Sequence, residues 1–85
     1  MRTELVIIDS ARKRGYADDD LLHVIANAIR VIVQSDGMTM YIGPDRAGRI
    51  MEVGTIERSG REIVAHAMRP ARPKYLAEQP RRSRR

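Results

Sequence analysis

The chain has 85 residues, a mass of 9.7 kDa and no cysteine, which limits it to one small domain and excludes disulfides, thiolate catalysis and cysteine-based zinc sites. Its 16 Lys and Arg against 11 Asp and Glu give a net charge of +5, which favours a polyanionic partner. No apolar run approaches the roughly 18 residues of a membrane span, and charges come too early in the chain for a secretory signal. We therefore expect a cytoplasmic protein without a membrane segment.

Two helices are predicted at the start of the chain. The first begins near Thr3, although residues 5–8 also suit a short strand leading into a helix near Asp9. The second covers residues 18–30, where apolar side chains recur at helical spacing. Its three leading aspartates favour the positive end of the helix dipole.

After residue 30 the apolar period changes from 3.6 to 2, which predicts strands over 30–34, 38–42, 49–56 and 61–68. The short Gly, Asp and Ser-rich separators favour hairpins. Pro70 and Pro73 end the last strand and permit a short helix to about residue 78. The predicted fold class is α+β, a four-stranded antiparallel meander packed by helices in the order α-α-β-β-β-β-α. We expect one domain over 1–79 and a disordered basic tail at 80–85.

The positive charge is concentrated at the end of the sequence. Residues 1–68 carry nine Lys or Arg against ten Asp or Glu, whereas residues 69–85 carry seven against one. Such an end attracts RNA, DNA or an acidic protein, with an affinity that falls as salt rises. A merely solubilising tail is the alternative.

The last strand and the residues after it carry the candidate catalytic groups, His66, Arg69, Lys74 and Tyr75, with Arg72 as a further phosphate-binding residue. Strict alternation puts Val64, His66 and Met68 on one strand face and Ile63, Ala65 and Ala67 on the other. For RNA cleavage, Arg and Lys hold the phosphate while His or Tyr moves a proton. The residues alone favour the alternative, a hydrogen-bonded strand histidine at the edge of the core.

Other sites are weakly indicated. The pair Lys13 and Arg14 can reach a phosphate, although an ordinary helix-terminal charge pair is the more common interpretation. His23 and His66 match no common metal-ligand spacing, so we expect no metal and no cofactor.

Several segments together resemble a known family. They are Lys13-Arg14-Gly15 with the acidic start of the following helix, Tyr41-Ile42-Gly43, Met51-Glu52-Val53-Gly54 and, most specifically, Ile63-Val64-Ala65-His66-Ala67-Met68-Arg69-Pro70-Ala71. Over roughly residues 9–76 the chain resembles a divergent member of the BrnT toxins of bacterial type II toxin-antitoxin pairs.

This resemblance implies a RelE-like fold and RNA cleavage without a metal. It also implies neutralisation by a cognate antitoxin, usually with a DNA-binding domain, and operator binding by the complex. Arg69 matches the family's arginine after the last strand, and Lys13 its basic residue before a His-Gly pair. Arg14 replaces that His, and Lys74 lies near the family's charged residues in the final helix. The chain departs from the family in lacking an aromatic residue in its first element, and His66 is not a family feature.

The leading hypothesis is therefore a ribonuclease toxin that inhibits growth. Arg69 and Lys74 bind the scissile phosphate, and His66 or Tyr75 assists proton transfer. Two alternatives stay open: a non-catalytic nucleic-acid or protein-binding module on a toxin-like scaffold, and a homodimeric adaptor joined through edge strands.

Overall fold

A computed structural model describes residues 4–76 of the chain, with side chains from residue 5 onwards. Eight elements follow one another in this part of the chain. They are β1 (Glu4–Ile7), α1 (Asp9–Arg12), α2 (Asp18–Ala26), β2 (Arg30–Val33), β3 (Thr39–Pro44), β4 (Ile50–Arg58), β5 (Arg61–Met68) and α3 (Pro73–Leu76). The predicted tail at 80–85, and the predicted extension of the last helix to residue 78, lie outside the described residues.

The strands form one mixed sheet in the order β1-β5-β4-β3-β2. The predicted α+β class is compatible with this sheet, but the prediction of four antiparallel strands is wrong because β1 adds a fifth strand, parallel to β5. The preferred helix from Thr3 is also wrong. Leu5, Val6 and Ile7 are aliphatic and largely β-branched, and they pair with β5, placing Val6 opposite Ile63. Helix α1 begins only at Asp9.

Helix α2 is shorter than its apolar pattern suggested. It ends at Ala26. The next residue, Asn27, is the C-cap and donates its backbone N–H to the His23 carbonyl. The end of α2 lies close against β3, because a Cβ on Gly43 would be 2.9 Å from the Ala28 Cα, so only glycine fits there. Within residues 4–76, no helix is long and apolar enough to cross a membrane.

Each sheet face has its own apolar cluster. The helix face, against which α1 and α2 pack, contains Ala11, Leu21, Val24, Met51, Val53, Val64 and Ala67. The opposite face, here called the groove face, contains Met40, Ile42, Ala71 and Tyr75. Since Ala71 and Tyr75 follow the last strand, the end of the described chain covers the face that the helices leave open.

An irregularity in β5 overturns the predicted alternation. Gly54 lies opposite His66, but its neighbour Thr55 lies opposite Val64, so β5 has one extra residue at this point. A β-bulge of this kind reverses which residues share a face. Val64 consequently joins Ala67 in the helix-face cluster, while His66 contacts Glu52 in the groove.

Candidate active site

A groove of about 380 Å³ opens on the groove face. Its lining residues come from the β2–β3 turn, β3, β5 and the C-terminal segment. They are Gln34, Ser35, Asp36, Met38, Met40, His66, Arg72, Lys74 and Tyr75. The structure thus brings four of the sequence-predicted site residues together, namely His66, Arg72, Lys74 and Tyr75.

Glu52 anchors this group from within the sheet. Its side chain is completely buried on the central strand β4. One carboxylate oxygen, Oε2, accepts from His66 Nε2 at 2.7 Å and from Arg72 Nε and Nη2 at 2.9 and 2.6 Å. The other, Oε1, accepts the Arg72 backbone N–H at 2.7 Å. One carboxylate therefore fixes both the histidine and the loop that carries the arginine.

These contacts keep Glu52 ionised. Burial alone would raise its pKa, but the hydrogen bonds from the Arg72 side chain and backbone and from His66 outweigh burial and lower it. The same contacts act on the partner, since the hydrogen bond to Glu52 raises the pKa of Arg72. The pair is therefore charged on both sides across the neutral pH range.

The bond to Glu52 also defines the chemistry of His66. With an ionised carboxylate as partner, Nε2 is the nitrogen that carries the proton and donates it. A neutral imidazole has only one N–H, so Nδ1 is then its proton-accepting atom. The side chain is 28% exposed at the groove, which gives a substrate access to it. The imidazole of His66 is thus fixed through Nε2 while part of the side chain is open to the groove.

Tyr75 makes contacts through both its hydroxyl and its ring. It is only 6% exposed, and its hydroxyl oxygen accepts a hydrogen bond from Gln34 Nε2 at 2.9 Å. The Arg72 guanidinium and the Lys74 ammonium lie 5.3 and 5.0 Å from the ring centroid. Contacts of this type attract cations to an aromatic ring. Tyr75 therefore positions the two cations of the groove.

The β2–β3 turn forms the opposite side of the groove. Asp36 Oδ1 accepts the Met38 N–H at 3.0 Å, which closes the turn. The Met38 side chain packs over Gly54, where a Cβ would come within 2.5 Å of the Met38 sulfur and 3.3 Å of the His66 Cβ. Glycine at this position thus lets an apolar side chain lie beside the histidine. Met38 and Met40 give the groove an apolar lining next to its charged groups.

Arg69 does not belong to this group, contrary to the expected proximity of Arg69 and His66. Alternation beyond the end of β5 turns its side chain towards the helix face. There its guanidinium lies 2.9 Å from Asp45 and 3.7 Å from Asp20, and 4.9 Å from the centroid of the Tyr16 ring. Its backbone N–H donates to the Tyr16 hydroxyl at 2.9 Å. Arg69 therefore links β5 to the N-terminal end of α2 and the β3–β4 turn.

Two aspartates organise this ion network. The hydrogen bond from the Arg46 side chain is the main factor that lowers the pKa of Asp20. Burial would raise the pKa of Asp45, but hydrogen bonds from the backbone of Arg49 and Ala47, with the charges of Arg49 and Arg69, lower it. Both aspartates are thus ionised partners in a structural connection.

Replacing Arg69 with alanine is expected to destabilise the fold. The change removes one charge partner from the fully buried Asp45 side chain, which keeps Arg49 and two backbone donors, so we expect a loss of about 1–2 kcal/mol, less than for breaking a buried pair outright, and a fall in melting temperature of roughly 5–10 °C. The check is a thermal melt followed by circular dichroism. Arg58→Ala, at an exposed position on β4, is the control and should melt close to wild type. An unchanged melting temperature would contradict a structural role for Arg69.

Lys13 and Arg14 lie away from the groove. Both are exposed in the turn after α1, and α1 packs against the helix face through Ala11. The adjacent Arg12 binds Asp18 at 2.7 Å, which fixes this turn to the start of α2. The structure thus separates these two residues from the four in the groove by the thickness of the sheet.

Sequence reasoning missed Glu52, the residue on which the groove depends. A signal was present, because a carboxylate stands between Met51 and Val53 in an apolar run of the predicted sheet. A buried carboxylate requires hydrogen-bond donors or cations around it. Its partners at positions 66 and 72 come from other elements, so spacing along the chain did not identify them.

Comparison of the chain with known protein families, with curated proteins and with solved structures finds no match. Within residues 4–76, no three His, Cys, Asp or Glu side chains are grouped so as to hold a metal ion.

Proposed function

We propose that the chain is a metal-independent ribonuclease of the type that acts as the toxin in bacterial type II toxin-antitoxin pairs, working on RNA in the cytoplasm. One observation carries this proposal: His66 is held by the buried Glu52 in an open groove that also contains Arg72 and Lys74. A proton acceptor beside two cations suits attack on a phosphodiester.

The proposed reaction uses the 2′-hydroxyl of the RNA as its own nucleophile. His66 Nδ1 takes the 2′ proton, the 2′ oxygen bonds to the adjacent phosphorus, and the bond from phosphorus to the 5′ oxygen breaks. The leaving oxygen takes a proton from solvent, and the products are a 2′,3′-cyclic phosphate and a 5′-hydroxyl. No oxidant, reductant or further co-reactant is required.

The cations have the task of stabilising the charge that develops on the phosphate. The bonds from Arg72 to Glu52 use two of the five guanidinium N–H donors, and its side chain is 40% exposed. Lys74 adds a second charge at the same groove. In this proposal Arg72 takes the phosphate-binding role that the sequence suggested for Arg69, and Tyr75 positions the cations instead of moving a proton.

The test is incubation of the purified protein with a labelled single-stranded RNA in the presence of EDTA. We expect cleavage products ending in cyclic phosphate, and no cleavage of a DNA of the same sequence, because DNA lacks the 2′-hydroxyl. Folded protein that cleaves neither substrate would overturn the enzymatic proposal. Equal cleavage of both would overturn the proposed nucleophile.

Binding of both nucleic acids without cleavage would favour the alternative, a non-catalytic binding module. The seven Lys and Arg against one Glu in residues 69–85 favour that alternative specifically. Binding of this type depends mainly on phosphate contacts and weakens steeply with salt.

The toxin assignment adds a cognate antitoxin as protein partner, and operator DNA as a target of the complex. Expression of the chain alone should then arrest growth with loss of cellular RNA. Co-expression with the product of an adjacent reading frame should restore growth.

A further inference from the structure

Among residues 4–76, β2 is an edge strand with no other strand on its outer side. Only its β3 side is paired within the described sheet, and two apolar side chains on it are well exposed, Val31 at 54% and Val33 at 78%, as is Ile29 just before it at 68%. Natural edge strands are usually guarded by lysine, proline or a bulge. Arg30, the one charged residue of β2, donates instead to the Tyr75 carbonyl on the groove face.

The backbone of β2 is also arranged for a further strand. Gln34 donates its N–H to the Met38 carbonyl, so the hydrogen-bonded pairs of this ladder include Gln34, Ile32 and Arg30. In an antiparallel ladder the intervening residues direct their N–H and C=O groups the other way. Val31 and Val33 therefore direct their backbone hydrogen-bonding groups towards the free edge, while their exposed side chains lie on the sheet face opposite Ile32.

We propose that this edge pairs antiparallel with β2 of a second copy of the chain, with Ile32 on the two-fold axis. In that register Val31 lies opposite Val33 of the second copy, and Val33 lies opposite Val31 of the second copy. Four backbone hydrogen bonds join the two β2 strands along this seam, two from each valine pair. The two five-stranded sheets thereby become one continuous sheet.

Self-complementarity identifies a second copy as the occupant. On the helix face, four valines meet across the seam. On the groove face, Arg30 lies opposite the neutral Gln34, so no like charges are juxtaposed. Residues 1–76 have a charge of 12 − 10 = +2, so the bodies of two copies do not repel each other strongly. A 9.7 kDa domain also has a small core and gains stability from association.

The dimer would extend the groove. Gln34 lines the groove, and the second copy's Arg30 would lie opposite it. Association therefore brings a cation of the second copy to the end of each groove. The dimer itself does not depend on the proposed ribonuclease function.

The test is light scattering coupled to size exclusion, from low to high micromolar protein. We expect the full chain to approach twice its 9.7 kDa mass as concentration rises. Val33→Lys should raise the dimer dissociation constant at least about tenfold, because lysine blocks edge pairing. Leu5→Lys, on the opposite edge strand β1, is the matched control and should associate like wild type.

Cross-linking tests the register. The chain has no native cysteine, so Ile32→Cys introduces a single thiol that meets its own copy on the axis. Mild oxidation should link this variant into dimers, whereas Ile8→Cys, exposed outside β2, should stay largely monomeric. A wild-type monomer at every concentration, or equal association of the two lysine variants, would overturn the interface. Loss of association in Val33→Lys without a link in the folded Ile32→Cys variant would overturn the register.

Discussion

Replacement of His66 by alanine is expected to lower the rate of RNA cleavage by about 10²–10⁴-fold, the usual contribution of a positioned general base. The fold should persist, because Glu52 keeps its three hydrogen bonds from Arg72. The measurement is single-turnover cleavage of a labelled RNA, with circular dichroism to verify that the variant is folded. RNA binding should change little, since Arg72 and Lys74 remain in the groove.

The other histidine of the chain provides the control. His23 lies on α2, and its Nδ1 is 2.9 Å from the Pro44 carbonyl oxygen, away from the groove residues. A His23→Gln variant should therefore cleave RNA at close to the wild-type rate. If His66→Ala retained the wild-type rate within a few-fold, the imidazole would have no place in the reaction.

Replacing Glu52 with glutamine should cost about 3 kcal/mol of the free energy of unfolding, the lower end of the range for breaking a buried ion pair. The lower end applies because Arg72 is 40% exposed and can be solvated in part. Glutamine also turns an N–H towards groups that are themselves donors. Urea unfolding measures the loss. Glu57→Gln, an exposed acid on the same strand, is the control and should change stability by less than about 0.5 kcal/mol.

The pH dependence of stability in wild type and Glu52→Gln shows how much the Glu52 charge contributes, apart from the packing of its side chain. Its pKa is lowered in the folded protein, so its contribution is complete above the ordinary value of 4.5 and is lost as pH falls through the lower, folded value. Wild-type stability should therefore fall below about pH 4.5, and part of that fall should be absent in Glu52→Gln. An identical acid dependence in both proteins would show that the Glu52 charge does not stabilise the fold.

Much of the sheet could be predicted from the sequence, because β2 to β5 alternate clearly and Gly-rich turns separate them. The first element could not. Residues 5–8 are all aliphatic and satisfy either helix or strand, and only the partner strand β5 decides between the two. The end of α2 at Ala26 is likewise not marked in the sequence, because the apolar pattern continues to Ile29.

The candidate site was predictable where its residues are close in sequence. His66, Arg72, Lys74 and Tyr75 lie within ten residues, and a strand followed by a short helix holds them together. Two features required the tertiary structure. The extra residue in β5 decides which side chains share a face with His66, and Glu52 reaches His66 and Arg72 only across the sheet.

Nuclear magnetic resonance can show directly whether RNA binds in the groove. Isotope-labelled protein would be titrated with a single-stranded RNA whose 2′-hydroxyls are methylated, so that it binds but cannot be cleaved. We expect the largest shifts at His66, Arg72 and Lys74 and in the turn at residues 34–38. Shifts confined to residues 77–85, or to Lys13 and Arg14 on the helix face, would contradict binding in the groove.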